Sequence, residues 1–273
     1  MLDKVVADIK SLKIQGSQSV AEAAMRAWVK ARNKKEAYRK LYAARPTEPF
    51  LRNVLDYLMK HDDADALWEK FAVDKQEIIK LGAGKIRNDM IVYTHCHSSS
   101  VNRILVEAKK QKKKFNVHAT ETRPFFQGRI TARQLSEAKI SVTLFIDSAA
   151  RLALKDADIM MIGADAITAD GYVINKIGSE LMATVAKNYG VPVYVCTHSW
   201  KFDPKTVFEF EEEIEQRSVK EIWSNPPRGV KISNYAFEKV HPDLITGIIS
   251  EIGVMKPENF VSEVEKKNAW MFG

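Results

Sequence analysis

The chain has 273 residues, 45% hydrophobic and 28% charged, with 12 Gly and 9 Pro. That is enough apolar chain for one large or two modest domains with true cores, and it excludes a disordered polymer, a collagen-like fibre and a low-complexity tract. The 42 Lys and Arg against 35 Asp and Glu give a formal charge of +7, which favours anionic ligands such as sugar phosphates or nucleotides without selecting one.

Residues 1–83 read as helices. Val20, Ala23, Ala24, Ala27, Trp28 and Ala31 recur at helical spacing, and Ser19 with Glu22 has the form of a capping box. Phe50, Leu51, Val54, Leu55 and Leu58 form a second stripe after Thr47-Glu-Pro49. Leu67, Trp68, Phe71, Ile78 and Ile79 form a third element or pair, entered through Asp62-Asp63. Such stripes are read as core. From Ile86 the period changes. Short β-rich runs at Met90–Tyr93, Phe115–Ala119, Val142–Ile146, Ile159–Ile162, Val193–Cys196 and Leu244–Ile249 alternate with helical stretches, the pattern of an α/β fold with a parallel sheet. The domains expected are a helical one over 1–83 and an α/β one over 84–273.

No apolar run approaches the roughly 20 residues of a membrane helix, and Met1–Asp8 lacks the apolar region of a secretory signal. Two cysteines, Cys96 and Cys196, make no disulfide framework and read as thiols in a reducing, cytoplasmic setting. The run Lys109–Lys114 ends a helical pattern and suits that helix's negative end. It lacks the interleaved aromatics of a nucleic-acid surface, so no nucleic-acid partner is expected.

In a parallel sheet the residues just beyond each strand carry the site. After the first run stands Thr94-His-Cys-His-Ser-Ser-Ser100, then a helix. A helix N-terminus among small hydroxyl residues suits a phosphate, and its field would lower the pKa of the Cys96 thiol. The alternative is a buried cysteine beside an N-cap serine. Asp165, after the fourth run, is either an acid–base group or a turn cap. Asp147 reads as structural, before a capped helix start at Ser148. Asn175 and Lys176 at a helix entrance, with Lys201 after the fifth run, add hydroxyl- and phosphate-binding groups at the same edge. His95, Cys96 and His97 are zinc-type residues, but consecutive extended residues face opposite ways, so no metal is expected. A Cys-His-Asp hydrolase is possible by inventory only. With no G-x-G-x-x-G after a strand and no P-loop, no nucleotide cofactor is expected.

Taken together, Thr94-His-Cys-His-Ser98, Thr120-Glu-Thr-Arg-Pro124 with Gln127-Gly128, Asp147-Ser-Ala-Ala-Arg151, Gly163-Ala-Asp165, Asn175-Lys-Ile-Gly178 and Lys201-Phe202 resemble one family. It unites the alpha, beta and delta subunits of translation initiation factor 2B with the ribose-1,5-bisphosphate and methylthioribose-1-phosphate isomerases. The match is dense over residues 86–205. It implies a helical N-terminal domain on a Rossmann-like domain, in homodimers or hexamers.

Within the family the chain looks most like the archaeal-type ribose-1,5-bisphosphate isomerases. The resemblance places their cysteine and aspartate on Cys96 and Asp165, and their substrate contacts on Arg45, Ser98, Ser99, Ser100, Asn175, Lys176 and Lys201. Gln15-Gly16-Ser17 stands where the isomerases carry Arg-Gly-Ala, and Ser99 where they carry a lysine. The implied activity is aldose–ketose isomerisation of a phosphorylated pentose in nucleotide salvage, without cofactor and with AMP as activator. By analogy Cys96, as thiolate, takes a proton from carbon 2 and Asp165 gives one to the ring oxygen. The alternative is a non-catalytic regulatory subunit that binds a sugar phosphate or nucleotide and a translation partner.

Overall fold

The computed structural model describes residues 1–208, 214 and 216–272. Five helices open the chain: α1 (Leu2–Lys10), α2 (Ser17–Lys30), α3 (Lys34–Tyr42), α4 (Pro49–His61) and α5 (Ala64–Gly84). The second stripe becomes α4, with Phe50, Leu51, Val54, Leu55 and Leu58 all buried. At ~2 kcal/mol per apolar side chain, this face alone contributes roughly 10 kcal/mol of transfer free energy. The third stripe is one helix rather than two, and the Asp63 side chain accepts from Ala66 N at its start.

The start of α2 departs from the expected capping box. Gly16, at φ +80°, makes a left-handed turn that begins the helix at Ser17, so Ser19 and Glu22 lie within it. Glycine supplies that turn at little steric cost, and no side chain caps the helix. The Ser17 hydroxyl is thereby left for a distant partner.

The remaining elements are β1 (Ile91–Thr94), α6 (Ser99–Lys110), β2 (Asn116–Thr120), α7 (Gln127–Glu137), β3 (Ser141–Phe145), α8 (Ala150–Lys155), β4 (Ile159–Ile162), β5 (Ala166–Ile167), β6 (Val173–Lys176), α9 (Ser179–Asn188), β7 (Val193–Cys196), β8 (Phe237–Val240), β9 (Gly247–Ser250), β10 (Gly253–Met255) and α10 (Pro257–Lys267). A seven-stranded sheet runs β10-β9-β7-β4-β1-β2-β3, parallel except for β10. Every expected run forms a strand, displaced by one residue at β1, β2 and β3 and beginning later at β9. The strand order reverses between β1 and β4, so the crevice beyond their carboxyl ends is the switch point at which open α/β sheets bind ligands.

A second, antiparallel sheet, β5-β6-β8, follows β4. It corrects one expectation. Asn175 and Lys176 end strand β6 rather than standing at a helix entrance, and α9 starts only after Gly178.

Three apolar clusters organise these layers. One lies within α1–α4 and the start of α5, and each of the other two covers one face of the sheet. Helix α5 joins two of them, with Ala64 and Leu67 in the helical cluster and Ile78 and Ala83 against the sheet beside α6. Lys109 and Lys110 close α6, and Lys113 Nζ donates to Ala83 O, in keeping with a run that satisfies helix carbonyls. No described helix is long and apolar enough to cross a membrane.

A polar latch fastens α5 to the sheet. Asp74 accepts from His198 Nε2 at 3.0 Å and from Lys70 Nζ at 2.7 Å, while His198 Nδ1 accepts from Trp200 N. Burial alone would raise the Asp74 pKa, but the bonds from His198 and Lys70 outweigh it and leave it lowered. A lowered folded-state value means that the stabilisation is full above the ordinary value of 3.8 and fades as pH falls through the lowered one. Asp74→Asn should cost about 1–3 kcal/mol at neutral pH, with the gap to the parent protein closing on acidification. Urea denaturation at neutral and acidic pH checks this; a gap independent of pH contradicts it.

Candidate active site

The segment after β1 is shaped by three hydroxyls. His95 Nε2 donates to Ile177 O at 2.9 Å, which leaves Nδ1 to accept from Thr120 Oγ1 at 2.7 Å. Burial lowers the His95 pKa, so the ring is a neutral strut between β2 and the loop before α9. Cys96 takes a left-handed conformation (φ +67°), its N–H donating to Thr122 Oγ1 and its carbonyl accepting from Thr131 Oγ1. A non-glycine residue in that region is uncommon, and its presence at a cavity wall is typical of functional positions. Because the Thr131 hydroxyl is spent on Cys96, His97 Nδ1 is the donor in its 3.0 Å bond to Thr131. Ser98 caps α6 by accepting from Val101 N, with Ser99 and Ser100 in the first turn.

Beyond β4 the chain passes close under Ser98. A Cβ on Gly163 would lie 2.8 Å from Ser98 Oγ and 2.9 Å from Ser98 Cβ, so a larger residue would force the Ser98 side chain to shift. Asp165 follows, with its N–H donating to Ile174 O of β6. Lys176, at the end of β6, is buried with Nζ 4.5 Å from the Phe237 ring centre, and Asn175 Nδ2 donates to Ser179 Oγ. Asp147 accepts from Thr122 N and Arg123 N. Its role is structural as expected, although it pins the 122–123 turn and Ser148 caps nothing.

The helices supply the facing wall. Helix α4 is fixed to the loop after β7 by a buried Arg52–Asp203 ion pair of 2.6 Å and by Asn53 Nδ2, which donates to Trp200 O and Phe202 O. Those bonds hold Lys201, whose Nζ donates to Ala164 O. Arg45 lies 3.8 Å from Glu48, and the Ser17 hydroxyl donates to Asp165 Oδ1 at 3.5 Å. Gln15 spends its amide nitrogen on Leu12 O.

These walls enclose a cavity of about 490 Å³, and every expected catalytic or substrate-binding residue lines it, from Gln15, Gly16 and Ser17 through Arg45, Cys96, Ser98, Ser99 and Ser100 to Asp165, Asn175, Lys176 and Lys201. Sequence reasoning missed Gln18 and Arg103. Arg103 donates to Gln18 Oε1 at 2.8 Å, and Ser99 Oγ donates to the same oxygen, so a guanidinium one turn into α6 stands beside Ser99. Its only sequence signal is its place four residues after Ser99. Glu48, buried behind Asp165, was also missed.

One electrostatic expectation is overturned. The Cys96 thiol is not activated by the helix terminus; burial pushes its pKa up to about 11, against the pull of Lys176 and the His97 N–H and reinforced by Asp165 and Asp147. Two residues separate it from α6, and the field of a helix end fades within a turn while desolvation acts in full. The resting group is a thiol rather than a thiolate.

Among the described residues, Asp74, His198 and Glu251 bring three ligand-type atoms within 4.8 Å of one another. All three already make hydrogen bonds within the protein, Glu251 accepting from Ser199 N and Oγ and the other two forming the latch with Lys70.

A family model described as the initiation factor 2 subunit family matches residues 11–257. The chain belongs to that family. Within the family it is similar to the ribose 1,5-bisphosphate isomerase of Methanocaldococcus jannaschii, at 34% identity over 96% of this chain and 94% of that one. The enzyme of the same name from Archaeoglobus fulgidus is also 34% identical, over 92% of this chain and 88% of that one. Of solved structures, the translation initiation factor eIF-2B of Pyrococcus horikoshii superposes with a TM-score of 0.84 at 25% identity, covering 95% of this chain and 98% of the other.

The Gly163–Ser98 approach leaves no room for a methyl group without a shift of the Ser98 side chain. Gly163→Ala should lower the unfolding free energy by about 1–3 kcal/mol through overpacking. Urea denaturation measures it, and an unchanged midpoint would mean that the two loops are not in contact.

Proposed function

We propose that the chain is an aldose–ketose isomerase that converts ribose 1,5-bisphosphate to ribulose 1,5-bisphosphate. The observation that carries this reading is that Cys96 and Asp165, at the ends of the two central strands, share one cavity with Lys176, Lys201, Arg45 and the N-terminus of α6. The full-length similarity to proteins named for this reaction supports it.

The chemistry needs one group to protonate the ring oxygen and another to take the proton from carbon 2. A thiol whose pKa is pushed up to about 11 is a proton donor at neutral pH, so the roles drawn by analogy are exchanged. Cys96 gives its proton to the ring oxygen as the bond from that oxygen to carbon 1 breaks. Asp165, as carboxylate, takes the proton from carbon 2, leaving an enol across carbons 1 and 2. Asp165 then returns a proton to carbon 1, and the Cys96 thiolate takes the hydroxyl proton from carbon 2 as the ketone forms. Both groups end as they began.

The free N–H groups at the start of α6, with Ser98, Ser99 and Ser100, suit one phosphate. Arg103 supplies a cation beside Ser99, where the isomerases carry a lysine. Lys176, Lys201 and Asn175 serve the other phosphate and the sugar hydroxyls. The start of α2 and the Phe71–Ile79 stretch of α5 cover the cavity, which keeps water from an enol phosphate that can otherwise eliminate phosphate. The working state we propose is a cytoplasmic homodimer or hexamer with AMP as activator. The two free cysteines are consistent with the reducing compartment, and the exposed Leu144, Ile146, Leu152 and Leu181 with an assembly surface. Cys96 and Asp165 in one cavity favour the enzyme over the regulatory-subunit alternative, for which Gln15 and Ser99 speak where the isomerases carry an arginine and a lysine.

Incubation with ribose 1,5-bisphosphate, with and without AMP, should yield ribulose 1,5-bisphosphate. Cys96→Ala and Asp165→Asn should each lower kcat by about 10²–10⁴ with the fold intact by circular dichroism. No turnover by the parent protein contradicts the reading, and near-normal turnover in either variant contradicts the mechanism.

A further inference from the structure

Two donors of α6 converge on a single oxygen of α2. Arg103 Nη1 donates to Gln18 Oε1 at 2.8 Å, and Ser99 Oγ donates to the same atom at 3.3 Å. The other end of the amide fixes which atom faces them, because Gln18 Nε2 donates to Glu22 Oε1 at 2.9 Å and Glu22 is in turn paired with Arg26. Turned over, the amide would set its NH₂ against the guanidinium and its oxygen against the carboxylate. Gln18, Ser99 and Arg103 all line the cavity. An oxygen held there by a guanidinium and a serine hydroxyl has the surroundings of a phosphate oxygen.

Helix geometry explains how Arg103 reaches that point. Residues four apart share one face of a helix with a rise of about 6 Å between them, and side chains lean toward the N-terminus. Arg103 therefore extends back over position 99, where the small serine leaves room for it. Its planar fork suits two oxygens of one phosphate better than the single oxygen of an amide. That fork is largely unspent: among the described residues the Arg103 side chain makes this one hydrogen bond and no ion pair. Its charge also reaches the loop after β1, where it adds to burial in lowering the His97 pKa.

The chemistry of Gln18 fits a temporary partner. An amide oxygen satisfies both donors while the cavity is empty, but it carries no net charge. A phosphate forms charge-assisted bonds to the same donors and so competes for them successfully, whereas a carboxylate in place of the amide would hold the guanidinium against it.

We propose that Gln18 Oε1 holds the place of a phosphate oxygen, and that the sugar bisphosphate displaces it and takes over both Arg103 and Ser99. Arg103 is then the phosphate-binding cation of the α6 end of the cavity, and Gln18 sets how tightly that end binds. The proposal rests on the isomerase reading for the identity of the sugar, but the handover from amide to phosphate can be followed without turnover.

The test compares two substitutions with opposite expected signs. With ribose 1,5-bisphosphate, Arg103→Met should raise KM by about tenfold or more, a larger change than in kcat, because a charge-assisted contact is lost. Gln18→Ala should lower KM by roughly threefold, since the donors no longer have to leave an internal acceptor. Inorganic phosphate, followed by the rise in melting temperature that it causes, should bind in the same order, with Gln18→Ala tightest, the parent next and Arg103→Met weakest. A fixed tie between α2 and α6 would instead make both substitutions weaken binding. An unmoved KM in Arg103→Met, or binding in Gln18→Ala that is unchanged or weaker, overturns the proposal, and if Arg103→Met does not fold the Gln18→Ala comparison decides. Failure of the parent to turn over the sugar would remove the proposed function and leave the phosphate titration to decide the handover.

Discussion

The site depends on one steric constraint, the close approach of the chain leaving β4 to the chain leaving β1. Gly163 lies under Ser98 because it has no side chain. That contact brings the segment carrying Cys96 and the segment carrying Asp165 to the same crevice, 69 residues apart in sequence but on adjacent central strands. The switch in strand order opens the crevice, and α4, tied to the loop after β7 by Arg52 and Asn53, closes its other side. The helical cluster is thus more than a neighbour of the sheet, since it delivers Ser17, Arg45 and Glu48 to groups the sheet has already placed.

Burial governs the chemistry of this crevice. It holds His95 neutral, keeps Cys96 a thiol and raises the Glu48 pKa, in each case against nearby groups that favour the charged form. Lys176, Lys201 and Arg45 bring positive charge to the cavity wall, and an arriving phosphate meets it in a medium where charge is felt strongly. The same dryness fits a reaction whose intermediate would decompose in water.

Much of the arrangement was legible in the sequence because strands buried on both faces are continuous apolar runs and because ligand groups stand just past their ends. Ile159–Ile162 is such a run, and Asp165 could be placed from it. The second sheet was not legible: β5 has two residues, and β8 lies more than 60 residues from β6, so no local periodicity marks either. The start of α2 was misread because Ser19 and Glu22 have the spacing of a capping box, whereas Gly16 ends the preceding turn three residues before Ser19 and frees Ser17. The state of Cys96 was misread because proximity to a helix start is visible in sequence and desolvation is not. Glu48 could be located only as a neighbour of Arg45-Pro-Thr47; that it is buried beside Asp165 is a tertiary fact.

The central claim is that one phosphorylated pentose touches both strand ends at once, and a crystal structure with ribulose 1,5-bisphosphate bound tests it most directly. The account predicts a phosphate against the N–H groups that begin α6, with the Asp165 carboxylate over carbons 1 and 2 and the Cys96 sulfur within reach of the oxygens. A ligand held away from the crevice, or one that contacts only one of the two residues, would contradict it.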